Sequence, residues 1–542
     1  MSNLSFGYEV FGVGPGTVKG CTPPRTAERL FRRCARGRWL PTFRGESADR
    51  PTIPTGQKEA PMRIDEYAEL DATALAAAIA AGEVTADEVA QVATEAIDAV
   101  AELNAVAHGP FEKPLDHAAD GRFAGVPFAI KDLVLHAAGV PTRMGTRLLG
   151  DGLVPPTDTH LMERFRAAGL ATLAVTTTPE LGFNGNSEAL AYGSTRNPWN
   201  TAHSPGGSSG GSAALVAAGA VPIAHANDGG GSIRIPAACN GLVGLKPGRG
   251  RVSVGPDAGD ALFGMGCELV VSRTVRDTAA VLDEVAGPLP GDPFVIAPPE
   301  RPWSQEVGAD PGRLRIAVHT ESWAGTPVDP EVAAAVDAVA ATLEAAGHHV
   351  DRRTPTIDWD RLIQTNLVLW CAFLAGSVGA IEAMTGRTAG PDNLERTSWA
   401  CVEHGRTISG LEICSALDSV NALSREMGRF FGDYDLLLTP TMNTPALPLG
   451  HLDANAELTA LEWTNRIFDA CSFTSVFNQT GAPAISLPLG QSAQGLPIGV
   501  QLAAPSNGES LLIRVAAQLE QAMPWAGRRP GVHVARAAAT AR

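Results

Sequence analysis

Lysine is scarce in this chain of 542 residues. Lys19, Lys58, Lys113, Lys131 and Lys246 are the only five among 42 basic residues, and arginine supplies the others. Arginine cannot give up its proton inside a protein, whereas a buried lysine can. A lysine kept in such a background is therefore a candidate amine base. Positive charge is short overall: 58 acidic residues leave a formal net charge of −16. An acidic surface repels phosphate backbones, so nucleic acid is not expected as a partner. The eight cysteines form no C-x-x-C pair, which excludes the usual zinc-site and dense disulfide patterns. Reduced thiols and a cytoplasmic location are expected. No apolar run reaches the ~18 residues a membrane helix requires, and the N-terminus lacks the apolar core of a signal peptide. Neither a membrane partner nor export is expected. No His–Asp pair stands at a spacing that suggests Ser–His catalysis.

Hydrophobic residues make up 44% of the chain and charged residues 18%, the balance of a globular protein with a sizeable core. Residues 1–61 differ from the rest: ten Lys/Arg face five Asp/Glu, and Pro, Gly, Arg and Thr recur without a period. They read as a disordered tail or as the product of a start codon placed too early, with Met62 opening the domain proper, and a basic targeting segment is the minority reading. The expected division is a tail over 1–61, a catalytic domain over 62–530 and a flexible C-terminal tail over 531–542. Within the domain, 71–81 reads as a helix closed by Gly82. Thr85-Ala86-Asp87-Glu88 is a capping box that opens an amphipathic helix carrying Val89, Val92, Ala93, Ala96 and Val100 on one face. Strands are expected over 125–132, 171–175, 220–226, 484–488 and 497–502. Helices are expected over 161–168, 329–346 and 510–523, and through most of 360–435. Pro-rich 285–303 and 439–450 read as loops. Alternating helices and apolar strands predict an α/β fold with a partly parallel sheet.

The chemistry concentrates in glycine-rich segments. Ser208 lies in Gly206-Gly207-Ser208-Ser209-Gly210-Gly211, and Ser232 follows Gly229-Gly230-Gly231 at a strand end. Glycines let a ligand approach the backbone closely and leave N–H groups free to face an anion. A serine nucleophile requires a base to take its proton and donors for the oxyanion that its attack creates. Lys131 ends a strand that carries Val126, Phe128 and Ile130. Desolvation there disfavours the ammonium and would leave an amine able to accept a proton. Ser209 satisfies G-x-S-x-G, but no preceding strand makes it a nucleophile elbow. Ser212 reads as a helix N-terminal residue, Asp228 and Arg234 as organisers of the loop, Lys246 as structural, and His225 as a hydrogen-bonded core histidine. Cys371 reads as core, with a pocket-lining role as the alternative.

The blocks GVPFAIKD (125–132), PGGSSGGSAA (205–214), GGGSIRIPAACNGLVGLKP (229–247), FNQTGAPAISLPLG (477–490) and GLPIGVQL (495–502) together resemble the amidase signature family. The likeness runs from about residue 65 to about residue 525. It implies one large mixed β-sheet covered by helices on both faces. It also implies a Ser–cis-Ser–Lys triad: Ser232 as nucleophile, Ser208 as bridging serine after a cis Gly207–Ser208 bond, and Lys131 as base. The oxyanion donors would be the backbone amides of Gly229, Gly230, Gly231 and Ser232. No metal or cofactor is implied, and the expected partner is a small-molecule amide; a homodimer stays open. One stretch departs from the commoner G-T-D form: Ala226-Asn227-Asp228 precedes the glycines. That form resembles the branch of 6-aminohexanoate cyclic dimer hydrolases. Two alternatives are an amidotransferase-type subunit that releases ammonia from glutamine with partner subunits, and a catalytically silent binding protein.

Overall fold

The computed structural model describes residues 62–536. The expectations for 1–61 and 537–542 lie outside the described residues. Within residues 531–536, expected in the C-terminal tail, His533 and Val534 are buried, and the Val534 N–H donates to Ala218 O.

The strands in chain order are β1 (Val106–His108), β2 (Val126–Lys131), β3 (Leu170–Thr176), β4 (Glu188–Ala189), β5 (Gly193–Ser194), β6 (Ile223–Asp228) and β7 (Val243–Lys246). They continue with β8 (Cys267–Ser272), β9 (Arg315–Val318), β10 (His349–Arg352), β11 (Leu436–Pro440), β12 (Ala484–Gln491) and β13 (Pro497–Ala503). Eleven of them form one sheet in the order β1-β3-β2-β6-β8-β7-β12-β13-β11-β9-β10, while β4 and β5 pair separately. The sheet is mixed. β2 runs parallel to both β3 and β6, β9 runs parallel to β10 and β11, and the pairings from β6 through β13 to β11 are antiparallel.

Both sheet faces are covered, as side-chain alternation shows. Ile316, Val318, Leu436 and Leu438 belong to one apolar core, whereas their neighbours Ala317 and Leu437 belong to a second. The first core takes in the helices Ala86–Ala99, Val275–Val285 and Glu509–Ala522. The capping box at Thr85 is present, and Val89, Val92, Ala93 and Ala96 are buried as the spacing requires. The second core is built by Trp359–Thr385, Arg396–Thr407, Gly410–Asp433 and Ala460–Ala470.

Trp359–Thr385 corrects one expectation. By length and composition it could cross a membrane, with a mean hydropathy of 1.8 over an 18-residue window. Uncharged Gln364, Thr365, Asn366 and Ser377 break the apolar run but add no charge to it. In the fold, Leu362, Ile363, Leu369, Cys371 and Leu374 are buried in the second core.

Because β2 and β6 are parallel, their carboxyl ends lie side by side. This places Lys131, the last residue of β2, against Asn227 and Asp228, the last two of β6. In open α/β sheets, ligands bind at that end of the strands.

Candidate active site

Three segments converge at the carboxyl ends of β2 and β6. The first is Lys131 itself, fully buried. Its main-chain N–H donates to His225 Nδ1 (3.3 Å), so the ring proton sits on Nε2, 2.6 Å from Glu268 Oε2. His225 thus has the core role its strand position predicts. Burial pulls the Lys131 amine down to about 7, against the opposing pull of the Glu268 and Asp228 charges.

The second segment is the loop 206–211, which leads into the helix Gly210–Ala217. The Gly207–Ser208 peptide is cis. Gly207 is obligatory for space: a Cβ there would lie 2.3 Å from Asn186 O. Ser208 Oγ lies 2.7 Å from Lys131 Nζ. Ser209 Oγ lies 3.0 Å from the same nitrogen, and the third neighbour is Asn227 Oδ1 at 2.5 Å. Ser212, as expected, is structural: it sits inside the helix and donates to His225 O.

The third segment is 229–232. None of its four backbone N–H groups donates to another described residue. The next two amides, of Ile233 and Arg234, are taken by Asp228 Oδ2. Four successive free amides therefore stand between a paired strand and a paired helix start, which is the arrangement an anion requires. The loop is pinned from both sides. Thr474 Oγ1 donates to Gly230 O (2.6 Å), and the buried Asp228–Arg234 pair is completed by Asn478. Gly231 has φ +141°, a region that disfavours side chains, and a Cβ there would lie 2.6 Å from Thr474 Oγ1. Ser232 is buried, and its hydroxyl makes no hydrogen bond among the described residues.

Apolar side chains roof the glycines. A Cβ at Gly229 would meet Leu262 and Trp370, and one at Gly230 would meet Phe468. Trp370 stacks on Phe183 with 4.5 Å between ring centroids. Cys371, next in the chain, is fully buried in the second core. Lys246 is structural, as expected: its ammonium donates to Pro247 O.

The structure thus brings Lys131 and Ser208 into direct contact and sets the free amides of Gly229, Gly230, Gly231 and Ser232 on the adjoining strand end. No hydrogen bond joins Ser208 to Ser232 among the described residues. Sequence reasoning missed Ser209 and Asn227 as partners of Lys131, and missed Thr474 and Asn478 as loop anchors. Asn227 carried a signal, since it is one of the two residues, with Ala226, at which this chain leaves the commoner motif. Among the described residues, no group of three or more His, Cys, Asp or Glu is placed to hold a metal ion.

Comparison with known proteins agrees with this architecture. The family described as Amidase matches residues 76–513. The chain is 40% identical over 474 residues to the 6-aminohexanoate-cyclic-dimer hydrolase of Paenarthrobacter ureafaciens, covering 85% of this chain and 96% of that one. It is 41% identical over 481 residues to the putative amidase AmiC of Mycobacterium tuberculosis (strain ATCC 25618 / H37Rv), with the same coverage of 85% and 96%. Among solved structures, 6-aminohexanoate cyclic dimer hydrolase superposes with a TM-score of 0.80 at 36% identity, covering 86% of this chain and 99% of that one.

Proposed function

The chain belongs to the amidase signature family of hydrolases, which cleave carboxylic amide bonds, and from that premise we propose that Ser232, Ser208 and Lys131 perform the cleavage here. Neutral Lys131 Nζ takes the Ser208 proton while Ser208 Oγ takes the Ser232 proton. Ser232 Oγ bonds to the substrate carbonyl carbon, and the carbonyl oxygen becomes an oxyanion. The amides of Gly229, Gly230, Gly231 and Ser232 hold that oxyanion. As the intermediate collapses, the C–N bond breaks and the relay returns a proton to the leaving nitrogen, which departs as an amine. Water then adds to the acyl-enzyme ester, giving its proton to the same relay, and the carboxylic acid leaves with Ser232 restored.

The observation that carries this reading is the buried, desolvated Lys131 amine 2.7 Å from Ser208 Oγ. Contacts of this kind are often incomplete without substrate and close in the reacting complex. On this reading the Ser232 hydroxyl turns to Ser208 when the substrate carbonyl enters the amide cradle. The wall of Leu262, Phe183, Trp370 and Phe468 suits an apolar acyl chain.

The relative named for 6-aminohexanoate cyclic dimer makes cyclic amides the first substrates to test. Incubating the purified chain with cyclic, linear and aryl amides, and following products by mass, is expected to give ring opening by one added water. Turnover of glutamine alone, with no cyclic or linear amide cleaved, would favour the amidotransferase-type reading. No turnover together with no serine labelling would favour a silent binding protein.

A further inference from the structure

The hydrogen-bond pattern around Lys131 contains more than a base next to a serine. Three oxygens surround Nζ: Ser208 Oγ, Ser209 Oγ and Asn227 Oδ1. A neutral amine has two hydrogens and one lone pair, so the neighbours decide where the lone pair faces. The Asn227 amide is fixed in orientation, because its Nδ2 donates to Leu133 O (3.0 Å). A flipped amide would set two carbonyl oxygens against each other. Asn227 Oδ1 therefore faces Lys131 and can only accept. Ser209 is constrained as well: its hydroxyl donates to Asn227 O (3.2 Å) and accepts from the Asn227 N–H (3.3 Å), which leaves one oxygen lone pair for the amine. Both amine hydrogens are thereby taken, and the remaining direction points at Ser208.

We propose that Asn227 is the positioning residue that aims the Lys131 lone pair at Ser208: its side-chain carbonyl holds one N–H, Ser209 holds the other, and the proton-accepting direction is left to the bridging serine. This rests on the reading of Lys131 as base. The choice of an amide at this position follows from charge. A neutral carbonyl orients the amine without stabilising the ammonium as a carboxylate would. The other charged and titratable groups around the amine are Glu268 and Asp228, His225, which is bound to Glu268, and Arg234, which is paired with Asp228. None of these charged groups hydrogen-bonds Nζ; of the three neutral side chains that do, Asn227 is the one that presents a carbonyl, which can only accept.

The test compares pH profiles of kcat/KM for wild type, Asn227→Asp, Asn227→Ala and Lys131→Met. Asn227→Asp sets a carboxylate against the amine. An opposite charge at such range raises an amine pKa by roughly 1–3 units. The acidic limb is expected to move up by at least ~1 pH unit, with activity at pH 7 down about tenfold or more and recovered at high pH. Asn227→Ala removes the acceptor without adding charge. Its plateau kcat is expected to fall about tenfold or more, with KM little changed and the limb not raised. A residue needed only for folding would not give these opposite signatures. An unmoved limb in Asn227→Asp, with Lys131→Met inactive, overturns the role of Asn227 and leaves the base assignment standing. An active Lys131→Met overturns both. Should Asn227→Asp not fold, full kcat in Asn227→Ala overturns the proposal by itself.

Discussion

Lys131→Met is expected to lower kcat/KM by at least ~10³-fold, since a positioned base contributes roughly 10²–10⁴-fold and members of a relay fail together. Lys131→Arg is expected to be equally inactive, because a guanidinium keeps its proton. Steady-state kinetics on any amide the enzyme turns over checks this, and activity within tenfold of wild type in either variant would rule out the mechanism. The same substitution should leave a mark on stability. The amine titrates near 10.5 when unfolded and at about 7 when folded. Between those pH values the unfolded chain holds one more proton than the native one, so this group makes stability rise with pH. Its destabilising effect is full below pH 7 and disappears toward pH 10.5. From pH 7 upward, wild type should therefore gain on Lys131→Met by about 1 kcal/mol per pH unit in denaturant melts. Parallel stability curves for the two proteins would contradict a depressed amine.

Asp228→Ala is expected to cost about 3–5 kcal/mol, the range for removing one partner of a buried ion pair. Asp228 and Arg234 are both fully buried, with Nε 2.9 Å from Oδ2 and Nη2 2.9 Å from Oδ1. Burial by itself would raise the Asp228 pKa; the Arg234 charge and hydrogen bonds, with Lys246 and Asn478 adding to them, bring it down to about 2. Without the carboxylate, Arg234 keeps only the neutral acceptors Thr474 O, Gln501 Oε1 and Asn478 Oδ1. The amides of Ile233 and Arg234 lose their acceptor as well, which frees the segment 229–232 to move. The variant should melt at a clearly lower denaturant concentration and lose kcat with it. Asp228→Asn, which keeps the shape and an acceptor, should fall between the two. An Asp228→Ala protein as stable as wild type would mean that this pair does not hold the loop.

Much of the site could be read from the sequence because its parts are local. Lys131 ends a strand whose apolar residues announce burial, and the glycines of 229–231 announce exposed amides. The Thr85 capping box and the helix it opens are equally local, since Glu88 reaches back three residues to Thr85. The blurred regions depended on distant partners. The stretch 360–435 read as mostly helical, and it is divided into Trp359–Thr385, Arg396–Thr407 and Gly410–Asp433 by turns that packing fixes. Strands β9 and β10, of four residues each, were too short to show a period, and β11 runs to Pro440, into a stretch that reads as loop. Asn227 touches Lys131 across 96 residues of sequence, and Asn478 reaches Arg234 across 244, separations that no local pattern encodes.

The most direct measurement is the rate at which a fluorophosphonate modifies the protein as pH is varied, with the adduct located by peptide mass. A hydroxyl armed by a deprotonated amine should react at Ser232 alone, with a rate that climbs through a single ionisation near pH 7 and vanishes in Lys131→Met. An adduct on another serine, or a Ser232 rate that ignores both pH and the loss of the amine, would contradict the account.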